Sequence, residues 1–421
     1  MTRSKLSIGL RATLAIFTVT LLVASARAAS SEKVLHRFKD DGDGAYPEAG
    51  LIFDAAGNLY GTASNNGASG RGTVFELTPK AGGGWTEKVL HSFGGGNDGI
   101  FPSAGLIFDA DGNLYSTTLN GGAYGGGTVF ELTPKPDGSW KERVLHSFGA
   151  HDGKGGICPY AGLVLDAAGN LYGTTSMGGD GGGTVFELTP TAGGLWTEKV
   201  LVNFNEGNGS YPVAGLIFDT AGNLYGTTFV GGGFGWGTVF ELKRTARGWA
   251  EAVLHSFNTN GKDGYNPYAS LILDDAGNLY GTTSAGGVAG GGTVFELMRK
   301  AGGRWTEVIL HSFLDRPNDG DYPVASLIFD SAGNLYGTTL GGGGICGGGG
   351  CGAVFELTSG AAGSWTEKVL YRFREKGSGG IGPWADLVFD GADNLYGTTQ
   401  NGGHNTGCGG GGCGVVFEIT P

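Results

Sequence analysis

Charge is scarce in this sequence: only 16% of its 421 residues are Asp, Glu, Lys or Arg, against 40% hydrophobic residues. A composition with so much apolar content and so little charge excludes a solvated, disordered chain. The charge present is lopsided, with a net value of −12. That sign disfavours a phosphate-backbone partner, so no nucleic acid is expected as a ligand. Beyond the first thirty residues no apolar run reaches the length of about twenty that spanning a bilayer requires. Motifs that join a nucleophile to a base are also missing. There is no G-x-S-x-G elbow and no H-E-x-x-H, and matches to G-x-G-x-x-G follow from the glycine content alone. No catalytic residue and no metal-ligand set is therefore assigned.

The N-terminus has the form of a secretory signal. Arg3, Lys5 and Arg11 precede an apolar core at 14–24, and Ala26-Arg27-Ala28 fits an A-x-A cleavage site. Residues 1–28 are expected to be removed, leaving 29–421 as an exported, periplasmic or extracellular chain. An uncleaved membrane anchor is the competing reading, and the short core suits it less. No Cys follows that core, so a lipoprotein site is not expected.

Five cysteines remain: Cys158, Cys346, Cys351, Cys408 and Cys413. The last four form two copies of Cys-Gly-Gly-Gly-Gly-Cys. Two short loop disulfides, Cys346–Cys351 and Cys408–Cys413, suit an oxidising compartment. Four thiolates on one zinc ion are the alternative. Cys158 has no evident partner.

What the chain has in abundance is glycine, 88 residues of it, and repetition. Asn-Leu-Tyr recurs at Asn58, Asn113, Asn170, Asn223, Asn278, Asn334 and Asn394, a mean spacing of 56 residues over six intervals. A period of this size marks a fold in which each unit buries its apolar face against a neighbour. Within the first period, Ala49–Asp54 reads as a buried strand and 54–58 as a tight turn closed by Asp54 and Gly57. Strands are expected next at Asn58–Thr62, Thr73–Thr78 and Trp85–Phe93, with even-spaced apolar positions. Four hairpin-connected strands per unit predict a blade, and seven blades predict an all-β, seven-bladed β-propeller. The blades are placed at about 49–93, 104–148, 161–204, 214–257, 269–313, 325–373 and 385–421, the last completed by residues 32–38. The C-terminal copy stops after Val415–Thr420, its third strand, and Glu32–Phe38 is a spare fourth strand. Joined, they close the ring and remove its open edges.

Strand order assigns the Asp-x-x-Gly-Asn turns to one uniform face of the disc. The Gly-rich loops and the inter-blade loops share the other face and vary from copy to copy. Binding is expected where loops vary. Beside the inter-blade prolines stand Tyr46, Phe101, Tyr160, Tyr211, Tyr268, Tyr322 and Trp384, one aromatic per blade, expected at the channel mouth on the variable face. They are the candidate ligand-binding residues, suited to stacking on sugars or clamping a peptide; plugging the channel is the plainer reading.

The aspartates Asp54, Asp109, Asp166, Asp219, Asp274, Asp330 and Asp390 are read as turn formers. His36, His91, His146, His255 and His311 share one fourth-strand position with Val202 and Tyr371, so packing is expected there. His151 and His404 stand alone on variable loops. Asp40, Asp41 and Asp43, and Asp315, Asp319 and Asp321, offer acidic loops without a complete twelve-residue Ca²⁺ pattern. No cofactor is expected, with Ca²⁺ at these loops the alternative.

The units Gly50-Leu-Ile-Phe-Asp-Ala-Ala-Gly-Asn-Leu-Tyr-Gly-Thr62 and Gly72-Thr-Val-Phe-Glu-Leu-Thr78, recurring through essentially the whole chain, resemble the GloVer (choice-of-anchor) tandem repeat family. The resemblance implies an exported bacterial repeat protein, in a family whose members often carry a C-terminal anchor. This chain ends on its last strand, which suggests a soluble form. The Asp-x-x-Gly-Asn-Leu-Tyr turn is more weakly similar to NHL-type propellers. The expected function is a monomeric binding or interaction module for extracellular glycans or proteins. A propeller enzyme of lyase, lactonase or glycosidase type is the alternative, and a structural matrix protein a third.

Overall fold

The computed structural model describes residues 30–39, 41–149, 155–314, 319–343, 346, 350–374, 379–403, 408 and 410–421. The expected signal segment 1–28, Asp40, Asp315, His151 and His404 lie outside them. Seven four-stranded antiparallel sheets follow one another as blades of a ring. Blade 1 comprises Ile52–Phe53, Leu59–Ala63, Thr73–Pro79 and Trp85–Ser92, and the later blades repeat this order. The only helical turn among the described residues is Ala361–Gly363. No helix among them is long and apolar enough to cross a membrane.

The burial gradient follows the sequence. Second strands such as Leu59–Ala63 are buried at every position and carry no charge, as strands covered on both faces must be. Fourth strands such as Trp85–Ser92 alternate exposed and part-buried residues at the rim. The first strand is shorter than expected. Of Ala49–Asp54 only Ile52–Phe53 pairs within the blade, because the chain ahead of it is engaged by the neighbouring blade. The Ala49 carbonyl accepts the Thr398 hydroxyl, and the Ala104 carbonyl accepts the Thr62 hydroxyl. Equivalent bonds run from Thr117 to Ala161, Thr174 to Ala214, Thr227 to Ala269, Thr282 to Ala325 and Thr338 to Ala385.

The apolar core lies between blades. Tyr60, Val74, Leu90 and Phe93 of blade 1 cluster with Leu106, Leu114, Phe130 and Leu132 of blade 2. At every interface a phenylalanine ending one blade meets the third-strand phenylalanine of the next. Phe93 and Phe130 lie 5.1 Å apart edge to face, and Phe257 and Phe295 5.2 Å.

Ring closure is as expected. Ser31–Arg37 pairs antiparallel with Val415–Thr420, from Ser31 opposite Thr420 to Arg37 opposite Val415. The pairing carries a bulge between Val34 and His36, like the bulges in the other blades. Phe38 then meets Phe75 of blade 1 at 5.1 Å. On the opposite face from the Asp turns, each inter-blade loop pairs with the Gly-rich loop of the following blade, as Gly99–Ile100 does with Asn120–Gly121. The last glycine of each Gly-rich loop has positive φ and presses on the next blade's proline. Gly237 (φ +103) would drive any Cβ into Pro267.

Candidate functional site

The central channel holds a cavity of about 430 Å³. Alternate residues of the seven inner segments face it. The outermost ring is the residue after each proline: Glu48, Ser103, Tyr160, Val213, Tyr268, Val324 and Trp384. Two residues inward comes the ring of Gly50, Gly105, Gly162, Gly215, Ser270, Ser326 and Asp386.

The seven aromatics therefore divide. Tyr160, Tyr268 and Trp384 follow their prolines and line the cavity. Tyr46, Phe101, Tyr211 and Tyr322 precede theirs, hold positive φ (54°, 61°, 56° and 61°), and are not among its lining residues. The left-handed backbone at the residue before each proline breaks the strand there and separates the two sets. Tyr46 donates its hydroxyl to the Cys408 carbonyl at 3.2 Å, whereas Tyr211 and Tyr322 are 41% and 40% exposed on the loop face. Across the channel mouth Tyr268 meets Tyr160 at 5.9 Å and Trp384 at 5.6 Å, both edge to face. Phe229 packs on Tyr268 at 5.8 Å.

Two carboxyls share this cavity, and the sequence reading singled out neither. Glu48 accepts from Gln400 Nε2 at 2.8 Å. Burial raises its pKa and outweighs the bonds from Gln400 and Ser103. Asp386 is surrounded by protein but keeps surface open to the lumen. It accepts the Ser326 backbone N–H at 2.6 Å, and burial again raises its pKa. For Asp386 the signal in the sequence was departure from repeat consensus, since it stands where four other blades carry Gly; Glu48 occupies a position with no consensus.

The turn aspartates are structural. Asp54 Oδ1 accepts the backbone N–H of Ala56 and of Asn58, and Oδ2 accepts Asn58 Nδ2 and the Tyr60 hydroxyl. Burial acts to raise the Asp54 pKa, but these hydrogen bonds win and leave it lowered. A carboxylate so fully engaged has no lone pair left for a ligand.

The fourth-strand histidines sit at blade interfaces, edge-on to phenylalanine, as His91 is to Phe93 at 4.6 Å. Each also meets acids. His36 contacts Asp43 at 3.1 Å, His91 contacts Asp98 at 3.2 Å and His311 contacts Asp319 at 3.5 Å. A glutamate on the next blade's fourth strand completes each group. Burial pushes Glu87, Glu142 and Glu367 up to about 7. Asp43 and Asp319 of the acidic loops also accept backbone amides, from Lys39 at 2.9 Å and Leu314 at 3.0 Å. This arrangement was missed because its three members come from three separate segments.

The thiols are settled as two disulfides, Cys346–Cys351 and Cys408–Cys413, so a four-thiolate zinc site is excluded. Cys158 is free and part-buried, and burial raises its pKa.

The blade repeat and its ring define a class, the seven-bladed β-propellers. Within it, the chain belongs to the Gloeobacter/Verrucomicrobia repeat family, which it matches over residues 15–217 and 181–407. No curated protein matches it in sequence. Among solved structures it is similar to a protein of Bacteroides uniformis ATCC 8492 described as a candidate 6-phosphogluconolactonase. That match has 14% identity, 84% of this chain and 90% of that one covered, and a TM-score of 0.53. It is also similar to an ancestral GH74 enzyme, at 12% identity and TM-score 0.56, covering 89% of this chain and 48% of that one. At these identities the likeness is one of fold.

Proposed function

We propose that the protein is an exported binding module that takes its ligand, a glycan or an extracellular protein, on the variable loop face. One observation carries this. The exposed aromatics among the described residues, Tyr124, Tyr211, Phe234, Trp236 and Tyr322, all belong to the loops of that face. Exposed rings cost solvation free energy and concentrate where a partner covers them. The channel mouth on the same face adds a recess with aromatic walls and two carboxyls, suited to the end of a sugar chain. The two disulfides and the family support an oxidising, extracytoplasmic location.

The test is a binding screen of residues 29–421 against glycans, polysaccharides and envelope proteins. Phe234→Ala with Trp236→Ala should weaken a hit at least tenfold and leave Tm nearly unchanged, since both rings are exposed. Undiminished binding by this pair and by Trp384→Ala would overturn the reading.

A second reading rests on Glu48 and Asp386. Two carboxyls with raised pKa values in one cavity could act as acid and base on a sugar or lactone. Turnover of chromogenic glycosides or lactones, lost in Asp386→Asn, would favour it over binding alone.

A further inference from the structure

At the interface of blades 4 and 5, His255 leaves one fourth strand, Asp263 comes from the loop between the blades, and Glu307 stands on the next fourth strand. The His255 Nε2 atom lies 3.4 Å from Asp263 Oδ2 and 3.7 Å from Glu307 Oε1. Ligand atoms of all three residues fall within 4.8 Å of one another. No third contact of this kind forms at His36, His91 or His311 among the described residues.

The difference lies in what the loop aspartate is bonded to. Asp43 and Asp98 bond directly to their histidines. Asp263 is instead held through Oδ2 by Asn258, from its backbone N–H at 3.1 Å and its Nδ2 at 2.6 Å. His255 Nε2, Asp263 Oδ1 and Glu307 Oε1 are all buried with no hydrogen-bond partner, whereas the equivalent groups at His91 and His311 each leave two such atoms and that at His36 one. Asp263 is only 4% exposed. Buried polar atoms without partners are costly, and three converging on one point call for a shared cation.

We propose that His255, Asp263 and Glu307 form a zinc-type divalent metal site that bridges blades 4 and 5. One imidazole nitrogen and two carboxylate oxygens suit a borderline transition ion better than Ca²⁺ or Mg²⁺, which favour oxygen alone. Bond lengths of about 2.0–2.2 Å place the ligand atoms of a tetrahedral zinc roughly 3.3–3.5 Å apart. The 3.7 Å separation of His255 Nε2 and Glu307 Oε1 falls just outside that span, and the Asp263 carboxylate comes within 3.4 Å of the same nitrogen through Oδ2. A dication would neutralise both carboxylates and replace their repulsion by attraction. Asn258, bonded to the second oxygen of Asp263, would orient that ligand. Three protein ligands leave a fourth position for water or an incoming donor.

The experiment titrates zinc into untagged, chelator-stripped protein, with calorimetry for affinity, elemental analysis for stoichiometry and a thermal melt for stability. One zinc per chain is expected, with a Tm that rises on zinc addition and returns in EDTA. His255→Ala and Asp263→Asn should each weaken binding by at least about 100-fold, more than loss of an outer-shell partner does. His91→Ala and Cys158→Ser should leave it intact. Melts in EDTA confirm that each variant folds, and the near-isosteric Asp263→Asn serves should His255→Ala fail to. Absence of stoichiometric zinc, or its full retention in both ligand variants, overturns the proposal. So does a chain that takes no zinc but gains stability from Glu307→Gln, the mark of two carboxyls sharing a proton.

Discussion

The Thr398 hydroxyl donates to the Ala49 carbonyl at 3.2 Å, joining residues 349 positions apart. It repeats the bond from Thr62 to Ala104 at 3.0 Å, so the closing interface is built like the others.

Closure should then be as strong as any internal interface. Phe38 and Phe257 are both fully buried and each meets a third-strand phenylalanine. Phe38→Ala and Phe257→Ala are each expected to cost about 3–5 kcal/mol. Urea denaturation of both variants checks this, and a much smaller loss at Phe38 would mean that the ring is held elsewhere.

The turn aspartates act through fixed hydrogen bonds. Asp219→Ala strips partners from the amides of Ala221 and Asn223, from Asn223 Nδ2 and from the Tyr225 hydroxyl. A loss of about 1–3 kcal/mol is expected, with ligand binding on the opposite face unchanged. Chemical denaturation together with the binding assay separates the two effects.

Stability should peak in mild acid. Glu87, Glu142 and Glu367 have folded pKa values of about 7 against an ordinary 4.5, with burial as the main cause. Between those values the folded chain holds more protons than the unfolded one, so stability falls as pH rises from about 5 to 7. His146 acts oppositely, because burial lowers it from 6.5 to about 4, but it is one group against three. Below the ordinary 3.8 of Asp, the lowered turn aspartates protonate and their contribution is lost. Tm measured at pH 3.5, 5 and 8 at fixed ionic strength should be highest at 5. A higher Tm at 8 than at 5 would show these glutamates already ionised in the fold at pH 5.

Disulfide loss should be mild. Cys408 and Cys413 are five positions apart, and closing so short a loop stabilises by only about 2 kcal/mol. Cys413 is fully buried beside Phe38, so replacing both by Ser adds a smaller packing loss. Calorimetry of the double variant checks the sum. A fall of many kcal/mol would place the pair at the centre of folding rather than at a loop.

The blades and their closure were legible because each rests on local chemistry repeated seven times. Asp54, Gly57 and Asn58 announce a turn, and the spare strand Glu32–Phe38 answers the missing one after Thr420. The site was less legible. Aligning Tyr46 with Tyr160 ignored that one precedes its proline and the other follows it, and the left-handed backbone at Tyr46 turns its ring away from the cavity that Tyr160 lines. Asp386 and Glu48 belong to no motif. The His255 cluster is assembled from segments whose proximity only the ring creates. The threonine bonds between blades were likewise hidden, since Thr62 and Thr398 read as ordinary strand residues.

The pairing of Ser31–Arg37 with Val415–Thr420 has a temporal side. The strand Ser31–Arg37 is an unpaired edge until residues nearly 400 positions later have been made. Blades 1 to 6 can zip from local hairpins, but the seventh must capture a distant segment, a step slowed by the entropy of closing so long a loop. Until then both edges of the future seam, Ser31–Arg37 on one side and Val415–Thr420 on the other, stay open to other chains. Assembly of this molecule should therefore be limited by its final seam, which is also where a partly folded chain is most prone to aggregate.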